Sequence, residues 1–277
     1  MTTRTYSREI EREFAVGVAR AFGGALLFSL PMLMTMEMWD LGASMDRLRL
    51  ALLVVMMLPL LIGLAYYLGF ESSTCLSDAV LDAFVAIAVA ALLAAVLLGT
   101  FGELDAGSNP REWVGEIALQ SVTGSIGALL AQSQFGKPGG NKENRRQGGD
   151  FAEYFFMAAG ALFLSANVAP TEEVILIAHK MTSWQALILL SLSLILMHAF
   201  VYAVGFSGQH QRAEHISVKS EFVRFTVVGY LLAILISASL CWCFGRFDGI
   251  AAGEILRIAI VLGFPASIGA AAARLVL

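Results

Sequence analysis

The chain has 277 residues, 58% of them hydrophobic and only 14% charged, with a formal net charge of −4. A soluble domain carries about a quarter charged residues, and here the apolar residues gather in long runs such as 50–70 and 83–101. Runs of this length cross a ~30 Å hydrocarbon layer as helices, so the sequence describes an all-α, polytopic membrane bundle and excludes a large soluble core.

Eight transmembrane helices are expected, over 14–40, 48–70, 79–102, 113–132, 152–178, 184–206, 222–245 and 252–275. Arg4, Arg8 and Arg12 before the first run resemble the start of a signal peptide. The run is too long for that and no small-residue cleavage site follows, so it reads as a retained helix. Its distal part holds Pro31, Thr35 and Glu37. A proline inside a helix removes a backbone donor, and at membrane depth the freed carbonyl needs water, a side chain or an ion. Glu37 is therefore read as an ion or proton site, with Thr35 coordinating or orienting. The bland alternative ends this helix near Met36 and leaves Glu37 in the interface beside Trp39.

In the fourth span, Glu116 is expected to open the helix and complement its dipole. Gln120, Ser121, Thr123 and Ser125 read as close-packing residues. The stretch 133–150, rich in Gly and polar residues, is expected to be a flexible linker. The fifth span holds Asn167, Pro170, Thr171, Glu172 and Glu173; it shares Thr-x-Glu behind an interrupted helix with the first, while its proline and Glu172 have no aligned counterpart. Asn167 could satisfy a freed carbonyl, and Glu173 is read as the second ion or proton site. His198 in the sixth span is more simply a hydrogen-bonded packing residue than a proton relay. His210 and His215 belong to a solvated loop. Cys241 and Cys243, like Cys75, read as small packing residues, because no further ligand stands at metal-site spacing. Glu254 is expected to open the eighth helix as Glu116 opens the fourth. Together with Asp105 and Asp248, these two acids would ring an outer acidic vestibule that attracts cations.

An internal repeat organises these features. Laid over one another without gaps, 24–70 and 160–206 place Ser29 on Ser165, Thr35 on Thr171, Glu37 on Glu173 and Tyr66 on Tyr202. Beyond a seven-residue insertion, Val80, Phe101, Gly102 and Asp105 fall on Val223, Phe244, Gly245 and Asp248. "GEI" at 115–117 pairs with 253–255, and "SIGA" at 125–128 with 267–270. The expected organisation is a first four-helix repeat at 1–132, the linker at 133–150, and a second repeat at 151–277. Four helices per repeat return the chain to its starting side, so the copies are parallel. Of the 18 Lys and Arg, 12 fall on the side of the termini, which the positive-inside bias makes cytoplasmic.

The segments "GALLFSLPMLMTMEMW" and "GALFLSANVAPTEEV" resemble a family of bacterial integral membrane proteins over nearly the whole chain. The resemblance implies a membrane location and a bacterial source, hence the inner membrane, and carries no activity with it. Arg20, Ala21, Phe22 and Glu37 are also faintly similar in spacing to the first helix of TMEM-type potassium channels. Those channels have a Ser-Asp pair where Gly23 and Gly24 stand here, and six helices per repeat, so their permeation residues are not carried over.

The function expected is a cation or proton channel or transporter, with paired acidic sites at the repeat interface. Its partners are the lipid bilayer and a monovalent cation or proton, not nucleic acid, with a homo-oligomer left open. No cofactor, metal or enzyme activity is expected: P-loop, G-x-G-x-x-G, H-E-x-x-H and nucleophile-elbow patterns are missing. The alternative is a membrane scaffold or sensor acting through its cytoplasmic loops.

Overall fold

A computed structural model describes residues 3–68, 76–104, 109–135, 142–208 and 222–276. The described chain is helical, and eight of its helices are long and apolar enough to cross a membrane. It divides into two compact units, Met1–Gly149 and Asp150–Leu277.

In the first unit, α1 (Thr3–Leu33) stops after Pro31 and the chain restarts as a short helix, α2 (Met36–Ser44). Three long helices follow: α3 (Arg47–Leu68), α4 (Leu76–Phe101) and α5 (Pro110–Phe135). α5 is the hub, packed against α1, α2, α3 and α4. Its row of small residues lets α1 come close. A Cβ added at Gly24 would lie 2.3 Å from both Gly127 O and Ala131 Cβ. Only glycine fits such a backbone approach, the usual way that membrane helices gain contact area.

The second unit has the same order. α6 (Lys142–Val168) bends at Gly149, where φ is 50° and ψ −130°, and enters the unit. A short helix α7 (Glu173–Lys180) and the long α8 (Ser183–Gly208) follow. A π-helical turn, Phe222–Val227, leads into α9 (Val228–Cys243), and α10 (Ala252–Val276) closes the unit. Here α10 is the hub, against α7, α8 and α9. It meets α6 at glycine again: a Cβ at Gly160 would lie 2.1 Å from Gly269 O and 2.6 Å from Ala273 Cβ. Met157, Ala161, Met197, Tyr230, Ala233, Ala266 and Ala270 pack around this contact as one apolar core.

Three sequence expectations change. The first and fifth spans, expected as 14–40 and 152–178, are each two helices with a break between them. Residues 142–148, expected in a flexible linker, are helical, in keeping with a Lys-Glu-Asn-Arg-Arg-Gln run of mostly good helix formers; 136–141 lie outside the described residues. The π-helical turn opening the seventh span was not anticipated. It places Thr226 Oγ1 3.1 Å from His198 Nδ1, the hydrogen bond that holds this histidine in the bundle.

Candidate functional site at the interrupted spans

In each unit the chain breaks after its first span-length helix and restarts as a short helix, as the reading that ends the first span near Met36 expects, and the two breaks are built differently. In the first unit the last carbonyls of α1 all find donors. Met34 N donates to Leu30 O at 3.0 Å and Thr35 N to Met32 O at 3.1 Å. The Thr35 hydroxyl donates to Pro31 O at 2.5 Å, and Trp39 Nε1 to Leu33 O at 3.0 Å. Gln120 Nε2, from α5, reaches Met32 O at 3.3 Å. Thr35 takes the extended N-cap conformation of α2, φ −111° and ψ 112°, yet its side chain does not cap that helix. Its hydroxyl is turned back onto α1. Glu37, half-buried, sits in the first turn of α2, where its charge complements the helix dipole.

The contact between Met32 and Gln120 fixes where this break sits along α5. Gln120 lies ten residues along α5 from Pro110, about 15 Å at the helical rise. From there α2 runs back along α5 with Gly42 against Glu116, where a Cβ would lie 2.6 Å from Glu116 Cα. Thus α2 packs on α5 beyond α1, which is already long and apolar enough to cross a membrane by itself. Arg47 closes the far end of α2, donating from Nη1 to Gly42 O at 3.1 Å and from Nη2 to Ala43 O at 2.9 Å. A cation at a helix C-terminus satisfies orphan carbonyls and the dipole together.

In the second unit, Ala169 N donates to Ser165 O at 2.7 Å, and Thr171 N to Val168 O at 3.1 Å. The Thr171 hydroxyl donates to Val168 O at 2.9 Å, again turned back onto the helix just ended. Asn167 Nδ2 donates to Phe163 O at 2.7 Å, while its Oδ1 is buried without a partner. Pro170 is buried, and its carbonyl accepts a hydrogen bond from Arg246 Nη2. Glu173 opens α7 and is exposed. At the other end of α7, His179 Nδ1 lies 2.9 Å from Glu254 Oε1, with Arg257 Nη2 3.8 Å from the same oxygen.

The vestibule residues do not behave as one set. Glu254 is in the first turn of α10 and ion-paired. Glu116 does not open α5, which begins at Pro110 with Glu112 in its first turn. The helix register set by the glycine contacts places Glu112, not Glu116, on Glu254. Glu116 is 7% exposed and Gln120 1%. Both belong to a polar stripe on α5 that sequence reading took for a cap and for packing. The signal that separates them from packing residues is the spacing from Trp113 through Glu116 to Gln120, three and four residues, which shares one helix face. In register, α10 has Ile255, Ile258 and Leu262. Asp248 is exposed just beyond α9, and Asp105 lies outside the described residues, as do His210, His215 and Cys75. Cys241 and Cys243 are buried and form no disulfide. Among the described residues no three His, Cys, Asp or Glu side chains come together as a metal site would need.

Eight span-length apolar helices among the described residues, the first of each unit followed by a break and a short helix, define an all-helical integral membrane protein. The chain belongs to the family described as "Putative integral membrane protein (DUF2391)", which it matches over residues 17–277. No curated protein and no solved structure matches it.

Proposed function

We propose that the chain conducts a monovalent cation or protons across the membrane, as a channel or transporter and not as an enzyme, through two copies of one four-span unit. The observation that carries this reading is the break after the first span-length helix in each unit, followed by a short helix with an acid, Glu37 or Glu173, in its first turn. Broken membrane helices put backbone carbonyls and helix ends where an ion can use them, and irregular backbone at membrane depth is tolerated where it lines protein or water. Duplication is supported by matched element ends. Ser44 and Lys180 end the short helices, and Arg47 and Ser183 begin the next ones, at aligned positions. Ala131 and Ala273 flank equivalent glycine contacts. The Lys and Arg distribution supports cytoplasmic termini, in a bacterial inner membrane.

The test is flux in proteoliposomes. The parent protein is expected to carry a proton or alkali-cation current, reduced at least tenfold when Glu37→Gln and Glu173→Gln are combined. No current from the folded parent, or an unchanged current from the double variant, removes this reading.

A further inference from the structure

Three buried polar atoms on one face of α5 have no hydrogen-bond partner: Trp113 Nε1, Glu116 Oε2 and Gln120 Oε1. Two of them are acceptors, one from a carboxyl and one from an amide. Gln120 sits beside the C-terminal end of α1, whose carbonyls carry the negative pole of the helix dipole, and Glu116, one turn away on α5, lies against Gly42 of α2. Gln120 is held in place by the bond of its own Nε2 to Met32 O. Its carbonyl oxygen therefore faces away from the backbone it supports.

The second unit shows what a cation does beside such a break. After α9, Gly245 adopts φ 70°, and Arg246 N donates to Cys241 O at 2.8 Å. This turn delivers the guanidinium to Pro170 O. The first unit has the same turn after α4: Gly102 adopts φ 84°, and Glu103 N donates to Leu98 O at 3.0 Å. The residue that it delivers is an acid. The charge facing Glu116 is negative from three directions: Asp40 on α2, Glu103 after α4 and Glu112 on α5. From the start of α3 comes Arg47, with its guanidinium on Gly42 O and Ala43 O.

We propose that Glu116 and Gln120 bind an exogenous alkali cation in the first unit, beside the end of α1, where the second unit carries the tethered guanidinium of Arg246. The Glu116 carboxylate supplies the compensating charge and Gln120 Oε1 a neutral oxygen ligand. The last carbonyls of α1 already have donors, so the free oxygens on offer are those of Glu116 and Gln120. One carboxylate among neutral oxygens balances a single positive charge. A divalent ion takes six or more oxygens, usually from several acids, and no such convergence exists among the described residues. The site deepens the pathway reading and rests on it for its purpose, but its occupancy is a binding property that is measured without transport.

Thermal unfolding of the purified full chain in detergent micelles tests this, in choline, sodium and potassium chloride at equal ionic strength. A ligand that binds the folded state raises the midpoint with its concentration. The parent is expected to show a saturable rise in sodium or potassium over choline. The rise disappears in Glu116→Gln and in Gln120→Leu, the latter installing the residue type that α10 has in register, and it persists in Glu254→Gln. Should Glu116→Gln fail to fold, Gln120→Leu carries the test. Equal midpoints in the three salts, or a shift that survives both α5 substitutions, overturns the proposal. A midpoint that follows pH in choline and ignores sodium and potassium assigns the site to a proton, and overturns it too.

Discussion

The two breaks that follow the first span of each unit solve one problem with different chemistry. In the first unit the loose end of α1 is bonded by neutral donors, the Trp39 indole and the Gln120 amide, and an acid and an amide oxygen are left unpartnered close by. In the second, the break is bonded by the Arg246 guanidinium, and α10 has the buried Ile258 and Leu262 at the positions in register with Glu116 and Gln120. The difference teaches that the break and its electrostatics are separable. The break is set by a proline and a close glycine contact that both units possess. The charge is set by one residue after a turn, Glu103 or Arg246, and by two positions on the hub helix.

The largest effect is expected where the two units are alike. Gly24→Ala puts a Cβ 2.3 Å from a backbone oxygen, which no rotamer change relieves. Overpacking of this kind costs about 1–3 kcal/mol or more. Gly24→Ala and Gly160→Ala should each lower the unfolding midpoint and the monodisperse yield on size exclusion. Gly23→Ala, with nothing within 4 Å, should not. Equal behaviour of the three variants would remove the shared glycine contact from the account.

The next effect separates the units. Arg246→Ala leaves the buried Pro170 carbonyl without its charged donor, a loss of about 1–3 kcal/mol. Trp39→Phe removes a neutral bond of about 0.5–1.5 kcal/mol from the corresponding end of α1. Calorimetric or fluorescence melts should therefore rank Arg246→Ala as the more damaging, and the reverse order would contradict the contrast drawn between the two breaks. The smallest effect belongs to Glu254→Gln. Its partner His179 is 66% exposed, so the pair contributes about 0–1 kcal/mol and that contribution fades in high salt. A midpoint change well above this range, insensitive to salt, would mean that the end of α7 is more enclosed than the structure makes it.

Much of this was legible in the sequence. The eight spans follow from apolar runs, and both breaks are announced by Pro31 and Pro170 with Thr-x-Glu behind them. The restart of the chain as separate short helices was hidden because the apolar composition continues through Met36–Ser44 and Glu173–Lys180. The acid in each first turn is the local cue. The register of the fourth span misled for a different reason. Two identical "GEI" triplets align Glu116 with Glu254, but helices are registered by contact, and the contact of Gly24 with Gly127 and Ala131 places Glu112 there instead. The role of Gln120 was out of reach, because its partner Met32 lies 88 residues away in sequence and small polar residues on a membrane helix look alike whether they pack or bond.

The depth of the breaks and their contact with water carry the whole functional account. In a chain whose three cysteines, Cys75, Cys241 and Cys243, are replaced by Ser, single cysteines at Thr35 and Thr171 can be offered a membrane-impermeant maleimide in sealed vesicles. Leu27, a 64% exposed residue on the span before the first break, serves as the lipid-facing reference. The account predicts rapid labelling at Thr35 and Thr171 and none at Leu27. Labelling at Thr35 and Thr171 as slow as at Leu27 would contradict it.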